Sequence, residues 1–136
     1  MRFKSASGKL VWINEHKYLI DWDKKSRSKF QFKVKQFLKE YWSNCVVLEE
    51  FKIPGARLFC DFVNLNKKIV IEANGGQHYT FNKFFHNKSR INYWNSMRRD
   101  VRKEDWAVDN GFQFLEICEE DPLSRGFFSE KFGLWL

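Results

Sequence analysis

Glu72 closes a short apolar run, Ile69-Val70-Ile71, and is followed by Ala73-Asn74-Gly75-Gly76-Gln77-His78. Such a run reads as a buried strand. Consecutive glycines reach backbone angles closed to other residues, so this turn is expected to fold Gln77 and His78 back over the strand end, near Glu72. Upstream, Arg57-Leu58-Phe59-Cys60-Asp61-Phe62-Val63 reads as a second strand with Asp61 and Arg57 on one face. The turn Asn64-Leu65-Asn66-Lys67 makes the two strands a hairpin. Two carboxylates and an imidazole at one end of a hairpin can hold a hard divalent cation.

Mg²⁺ takes oxygen ligands, usually one or two carboxylates plus waters and a phosphate. Phosphodiester hydrolysis uses such an ion to offset transition-state charge and to acidify a water. Asp61 and Glu72 are the expected metal ligands. His78 would act as general base toward the water or would orient it. Asp100 is flanked by Arg98, Arg99, Arg102 and Lys103. It would reach the site as a further ligand or as a partner to His78; taken alone, it reads as an ion-pair partner for Arg98 or Lys103. Arg57 is either a salt-bridge partner of Asp61 or a substrate contact. Lys67 and Lys68 on the hairpin turn, with Lys83, Lys88 and Arg90 farther on, are candidate phosphate contacts. Phe84, Phe85 and His86 either wedge into DNA steps or pack beneath their loop. Glu116 reads as a solvated strand-end residue.

The elements that must position these groups follow from periodicity. Ser28 to Trp42 is helical, with Phe30, Val34, Phe37, Leu38 and Tyr41 on one stripe and Lys29, Lys33, Lys35, Gln36 and Lys39 mostly elsewhere. Ser28 with Gln31 is a capping-box pattern. Val46 to Phe51 is the first core strand, and Pro54-Gly55 turns the chain into the hairpin. Tyr79 to Ser89 reads as a loop. A helix from about Arg90 to Asp109 carries Ile91, Trp94, Met97, Val101 and Val108 at helical spacing, and Asn110-Gly111 ends it. Phe112 to Ile117 is a last strand, brought in by the crossover helix parallel to a neighbour. Ser124 to Leu136 reads as a short aromatic helix or tail over the core. The expected fold is a mixed α/β sheet with helices on both faces. Residues 26–136 are expected to form a single nuclease-like domain, and residues 1–25 an N-terminal arm or a small hairpin, Lys9–Ile13 against Lys17–Trp22.

The 136 residues carry 24 basic and 17 acidic side chains, a formal charge of +7, which points to a polyanionic partner. The three cysteines, Cys45, Cys60 and Cys118, form no CxxC pair, so a structural zinc site is not expected. Cys60 and Cys118 read as buried thiols of a reducing compartment. No stretch has the apolar length of a membrane span or a signal peptide, so the expectation is a cytoplasmic protein without a membrane partner.

Several of these residues together resemble a known family. Arg57-x-x-x-Asp61-Phe62, Ile71-Glu72-Ala73-Asn74-Gly75-Gly76-Gln77-His78-Tyr79, Arg99-Asp100 and Asn110-Gly111-Phe112 are similar to the very-short-patch-repair-type branch of the PD-(D/E)xK nucleases. That branch includes the EDxHD homing endonucleases of phages, and the likeness spans roughly residues 26–117. The resemblance implies a restriction-endonuclease-like fold and DNA cleavage dependent on Mg²⁺, with Mn²⁺ as a substitute. It implies catalytic roles for Asp61, Glu72, Gln77, His78 and Asp100. A small domain of this kind would read a long site as a homodimer or with a fused partner.

The chain also departs from that pattern. Asn74 stands where the motif lysine would fall, and Gln31 near where the first helix would carry a glutamate, for which Glu40 or Glu50 could substitute. The zinc-binding cysteines of the mismatch-repair members are missing. These departures keep two rivals in view: a non-catalytic nucleic-acid-binding module on the same fold, and a nuclease subunit that needs a partner.

Overall fold

The computed structural model describes residues 1–74, 90–133 and 136, without the side chains of 90–94 and 96. Its centre is a four-stranded sheet in the order β3 (Val47–Lys52), β4 (Phe59–Asn64), β5 (Ile69–Asn74) and β6 (Gln113–Cys118). The β3–β4 and β4–β5 pairs are antiparallel, and β6 returns parallel to β5. The return follows the crossover helix α2 (Arg90–Asp109), as a parallel neighbour requires. The protein is therefore α/β, a mixed sheet flanked by helices.

Two apolar clusters fill the two sides of the sheet. On one side Phe30, Val34, Leu38 and Trp42 of α1 (Lys29–Trp42) meet Phe62, Ile69, Ile71, Leu115 and Ile117. Phe128 of α3 (Arg125–Phe132) is buried in the same cluster. On the other side Trp106 and Ala107 of α2 meet Leu48, Phe51, Cys60, Val63, Val70 and Phe112. Strand alternation makes this possible: along β5, Ile69 and Ile71 face α1 while Val70, and with it Glu72, faces α2. At about 25 cal/mol per Å² these two apolar layers supply the main force holding the fold.

Local chemistry sets the ends. Ser28 Oγ accepts from the Gln31 N–H at 3.1 Å and starts α1; Ser124 Oγ does the same for the Phe127 N–H and starts α3. Gly111, at φ +80°, ends α2 in the left-handed region, as Asn110-Gly111 implied.

Four expectations change. The expected hairpin of Lys9–Ile13 against Lys17–Trp22 does not form: β2 (Leu10–Trp12) pairs instead with β1 (Arg2–Lys4), and Glu15–Tyr18 is a 3₁₀ turn rather than a turn between strands. Phe3 alone anchors β1, too little alternation to read. Val101 and Val108 are 51% and 63% exposed, so these two members of the expected stripe are not on the face that α2 buries. Lys35 is fully buried in α1 rather than solvated, because its ammonium meets Glu49 at 2.8 Å. The capping box is half made: the Gln31 side chain turns instead to Glu49 and Glu50. Among the described residues no helix is long and apolar enough to cross a membrane.

Candidate functional site

The β4–β5 ladder runs Asn64–Ile69, Val63–Val70, Phe62–Ile71 and then stops. Beyond it, side chains replace backbone acceptors. The Asp61 N–H donates to Glu72 Oε2 at 2.6 Å, and the Ala73 N–H donates to Asp61 Oδ2 at 2.8 Å. The two carboxylates thus sit where the next backbone pairs would have been, which fixes both without needing a longer sheet. They are 5% and 6% exposed, deep enough that a lone charge would cost several kcal/mol.

That cost is met from α2. Lys103 Nζ donates to Glu72 Oε1 at 2.6 Å. Asp100, one helical turn back, lines the same cleft, and its Oδ2 is buried with no hydrogen-bond partner among the described residues. The cleft has a volume of about 410 Å³ and is also lined by Arg27, Arg57, Arg99, Asn74 and Glu116. Burial pushes the Glu72 carboxyl up to about 8, and the charge of Asp61 adds to this while Lys103 pulls back. Burial likewise lifts Asp61 to about 6, against the Ala73 N–H and Lys103, with the charge of Glu50 raising it further. Burial works against the Lys103 ammonium, but the charges of Glu72 and Asp61 overcome it and hold its pKa above the ordinary value. Burial, with the charge of Glu72, raises the Cys60 thiol far above the range of a nucleophilic thiolate.

β3 contributes a third carboxylate. Its register with β4 leaves Glu50 facing Asp61 without a ladder pair, and Glu50 has φ +53°, a conformation costing about 1–2 kcal/mol. Gln31 Nε2 donates to Glu50 Oε1 at 2.9 Å and to Glu49 Oε2 at 3.1 Å, and Arg27 Nε lies 3.9 Å from Glu50. Gln31 is therefore the donor that holds two glutamates, and Glu50, not Glu40, is the acidic group near Asp61.

Of the expected site residues, Asp61, Glu72, Asp100 and Arg57 line one cleft. Arg57 forms no ion pair with Asp61. Glu116, expected to be solvated, lines the cleft and accepts from Asn74 Nδ2 at 3.3 Å. Lys67 and Lys68 are not brought to it. They follow β4, at the end of the hairpin away from Asp61 and Glu72, and Lys68 Nζ lies 5.2 Å from the Phe112 ring centroid. Gln77, His78, Lys83 and Lys88, the Phe84–His86 stretch and the side chain of Arg90 lie outside the described residues. Sequence reasoning missed Lys103. Its signal was spacing: Asp100 and Lys103 are three apart and share a helix face.

Residues chemically suited to a divalent cation are present. Asp61 and Glu72 offer hard oxygen atoms from adjacent strands, and the orphaned Asp100 Oδ2 marks unmet demand for a cation or donor in the same cleft. Among the described residues no three acidic, His or Cys side chains converge as a ligand group, so a bound ion would complete its shell with water and phosphate, as Mg²⁺ does.

No family model and no solved structure matches the chain. It is similar, at 35% identity over 65 residues, to the uncharacterized protein 033L of Invertebrate iridescent virus 3; the match covers 48% of this chain and spans about a third of that protein (33%).

Proposed function

We propose that this chain is a metal-dependent DNA endonuclease whose active site is the Asp61–Glu72 cleft. The observation that carries the reading is the pair of buried carboxylates at the point where the β4–β5 ladder stops, facing Lys103 and an Asp100 oxygen with no partner among the described residues. Asp61 and Glu72 would hold Mg²⁺ or Mn²⁺. Such an ion, when bound, supplies Lewis acidity toward the phosphate and acidifies a water. Lys103 offsets the charge of Glu72 and presents an ammonium to incoming phosphate oxygens. Asp100 Oδ2 accepts a hydrogen bond from water in the cleft. Arg27, Arg57 and Arg99 line it with cations that favour a polyanion over a neutral substrate. His78 would be the general base or water-orienting group, Gln77 would position phosphate or water, and a long target would require a second copy of the chain. Cys45, Cys60 and Cys118 are free thiols, which suits a reducing compartment such as the cytoplasm.

The test is cleavage of supercoiled and linear DNA with Mg²⁺ or Mn²⁺. Cleavage that disappears in Asp61→Ala and His78→Ala supports the reading. One observation favours a rival: both Glu72 oxygens already have donors, as in a structural ion pair. On that reading the chain is a nucleic-acid-binding module, and it would bind DNA without cutting it in either metal.

A further inference from the structure

A second depression, of about 470 Å³, adjoins the acidic cleft and is lined by Lys52, Gly55, Ala56, Arg57 and Arg102. Among the described residues none in its wall is acidic. Arg57 belongs to both cavities, so the two share a wall. The three cations come from three places: the end of β3, the β3–β4 connection and α2. All three are exposed.

What sets them apart is that three unspent cations meet in one concavity. Lys4, Lys35, Lys39, Lys103, Lys131 and Arg27 each sit within 4 Å of a carboxylate oxygen. Among the described residues, Lys52, Arg57 and Arg102 make no side-chain hydrogen bond or ion pair. Three like charges brought to one concavity repel one another, an arrangement stabilised only when an anion enters. The floor between them is a firm turn. The Ile53 N–H donates to the Leu58 carbonyl at 2.8 Å, the Ala56 N–H to the Ile53 carbonyl at 3.2 Å, and the Ala6 N–H to the Pro54 carbonyl at 2.8 Å.

We propose that the Lys52–Arg57–Arg102 depression holds the sugar–phosphate backbone of DNA next to the bond presented to the acidic cleft. It rests on the nuclease reading for its choice of ligand. Phosphates spaced along a strand match separate cations better than one compact anion would, and the shared Arg57 sets the track running from depression to cleft. These contacts carry no base information; they position the strand.

The test is fluorescence anisotropy of a labelled DNA duplex with the full chain in EDTA, across a salt series. Each phosphate contact contributes close to one unit of slope in log affinity against log salt. Lys52→Ala and Arg102→Ala are each expected to weaken binding about threefold to tenfold and to lower that slope by about one. Lys39→Ala, which removes a cation already paired with Asp23, is the control and leaves both unchanged. Wild-type affinity and slope in Lys52→Ala and Arg102→Ala would overturn the proposal, as would tighter binding of an RNA duplex of the same length. If the chain binds DNA with these losses but never cleaves it, the nuclease reading fails and the depression stands. If it cleaves DNA and the two variants bind like wild type, the reverse holds.

Discussion

The two faces of the sheet each bury a lysine against a glutamate, and the two pairs serve different ends. On the α1 side Lys35 and Glu49 are 2.8 Å apart, with side chains 1% and 14% exposed. Both members have further partners: Lys35 also donates to the Lys24 carbonyl, and Glu49 accepts from Ser26 at 2.6 Å and from Gln31. The pair ties the segment before α1 down to helix and sheet. On the α2 side Lys103 and Glu72 are 2.6 Å apart, yet a second buried carboxylate, Asp61, crowds them and Asp100 has an oxygen without a donor among the described residues. Buried charge that is fully matched is structure. Buried carboxylates crowded together beside an open cleft are the feature on which the proposed metal site rests.

Four measurements would break or sharpen that contrast. The largest effect is expected in catalysis: Asp61→Ala should reduce DNA cleavage by on the order of a thousandfold, since a lost metal ligand forfeits several kcal/mol. Lys35→Met should leave cleavage by the folded protein near wild type. Next, Glu49→Ala strands a fully buried ammonium and should cost about 3–5 kcal/mol in urea unfolding. A value under 1 kcal/mol would erase the difference between the faces. Third, Lys103→Met should cost less than Glu49→Ala, because Lys103 is the more exposed lysine and its partner can take up a proton. A larger loss than in Glu49→Ala would make the cleft pair the structural one.

The smallest effect is a pH slope in EDTA. Glu72 has its folded pKa near 8 against an ordinary 4.5, and Asp61 near 6 against 3.8. Between those values the folded chain holds more protons on these two groups than the unfolded one, so their contribution to stability is fully present below about pH 4 and is lost as pH rises toward 8. The slope is on the order of 1 kcal/mol per pH unit. Glu72→Gln should flatten it, as read by unfolding at pH 5, 6, 7 and 8; a wild-type stability that rises over that range would contradict the over-acidic cleft.

Much of this was written locally. Ser28, the apolar stripe of α1, the β4–β5 hairpin and the Asn110-Gly111 stop are short-range signals, and each element formed where those signals lay. The aromatic segment after Ser124 became a helix with Phe128 in the core. What failed to read was which charged residues would be inside. The sequence places Lys35 only off the apolar stripe, and its burial could not be read because its partner lies fourteen positions away. Val101 and Val108 looked like core, but α2 turns Asp100 and Lys103 toward the cleft and Trp106 and Ala107 toward the sheet.

The sequence by itself determined that Asp61 and Glu72 lie on neighbouring antiparallel strands, because alternation and turn residues act within a few positions. Only the tertiary structure decided that the ladder would end at Phe62–Ile71, that Lys103 would meet Glu72, that Gln31 would hold Glu49 and Glu50, and that three unpaired cations would share a wall with the cleft. Those contacts join residues far apart in the chain. Their geometry comes from how helix and sheet pack, and no local propensity encodes it.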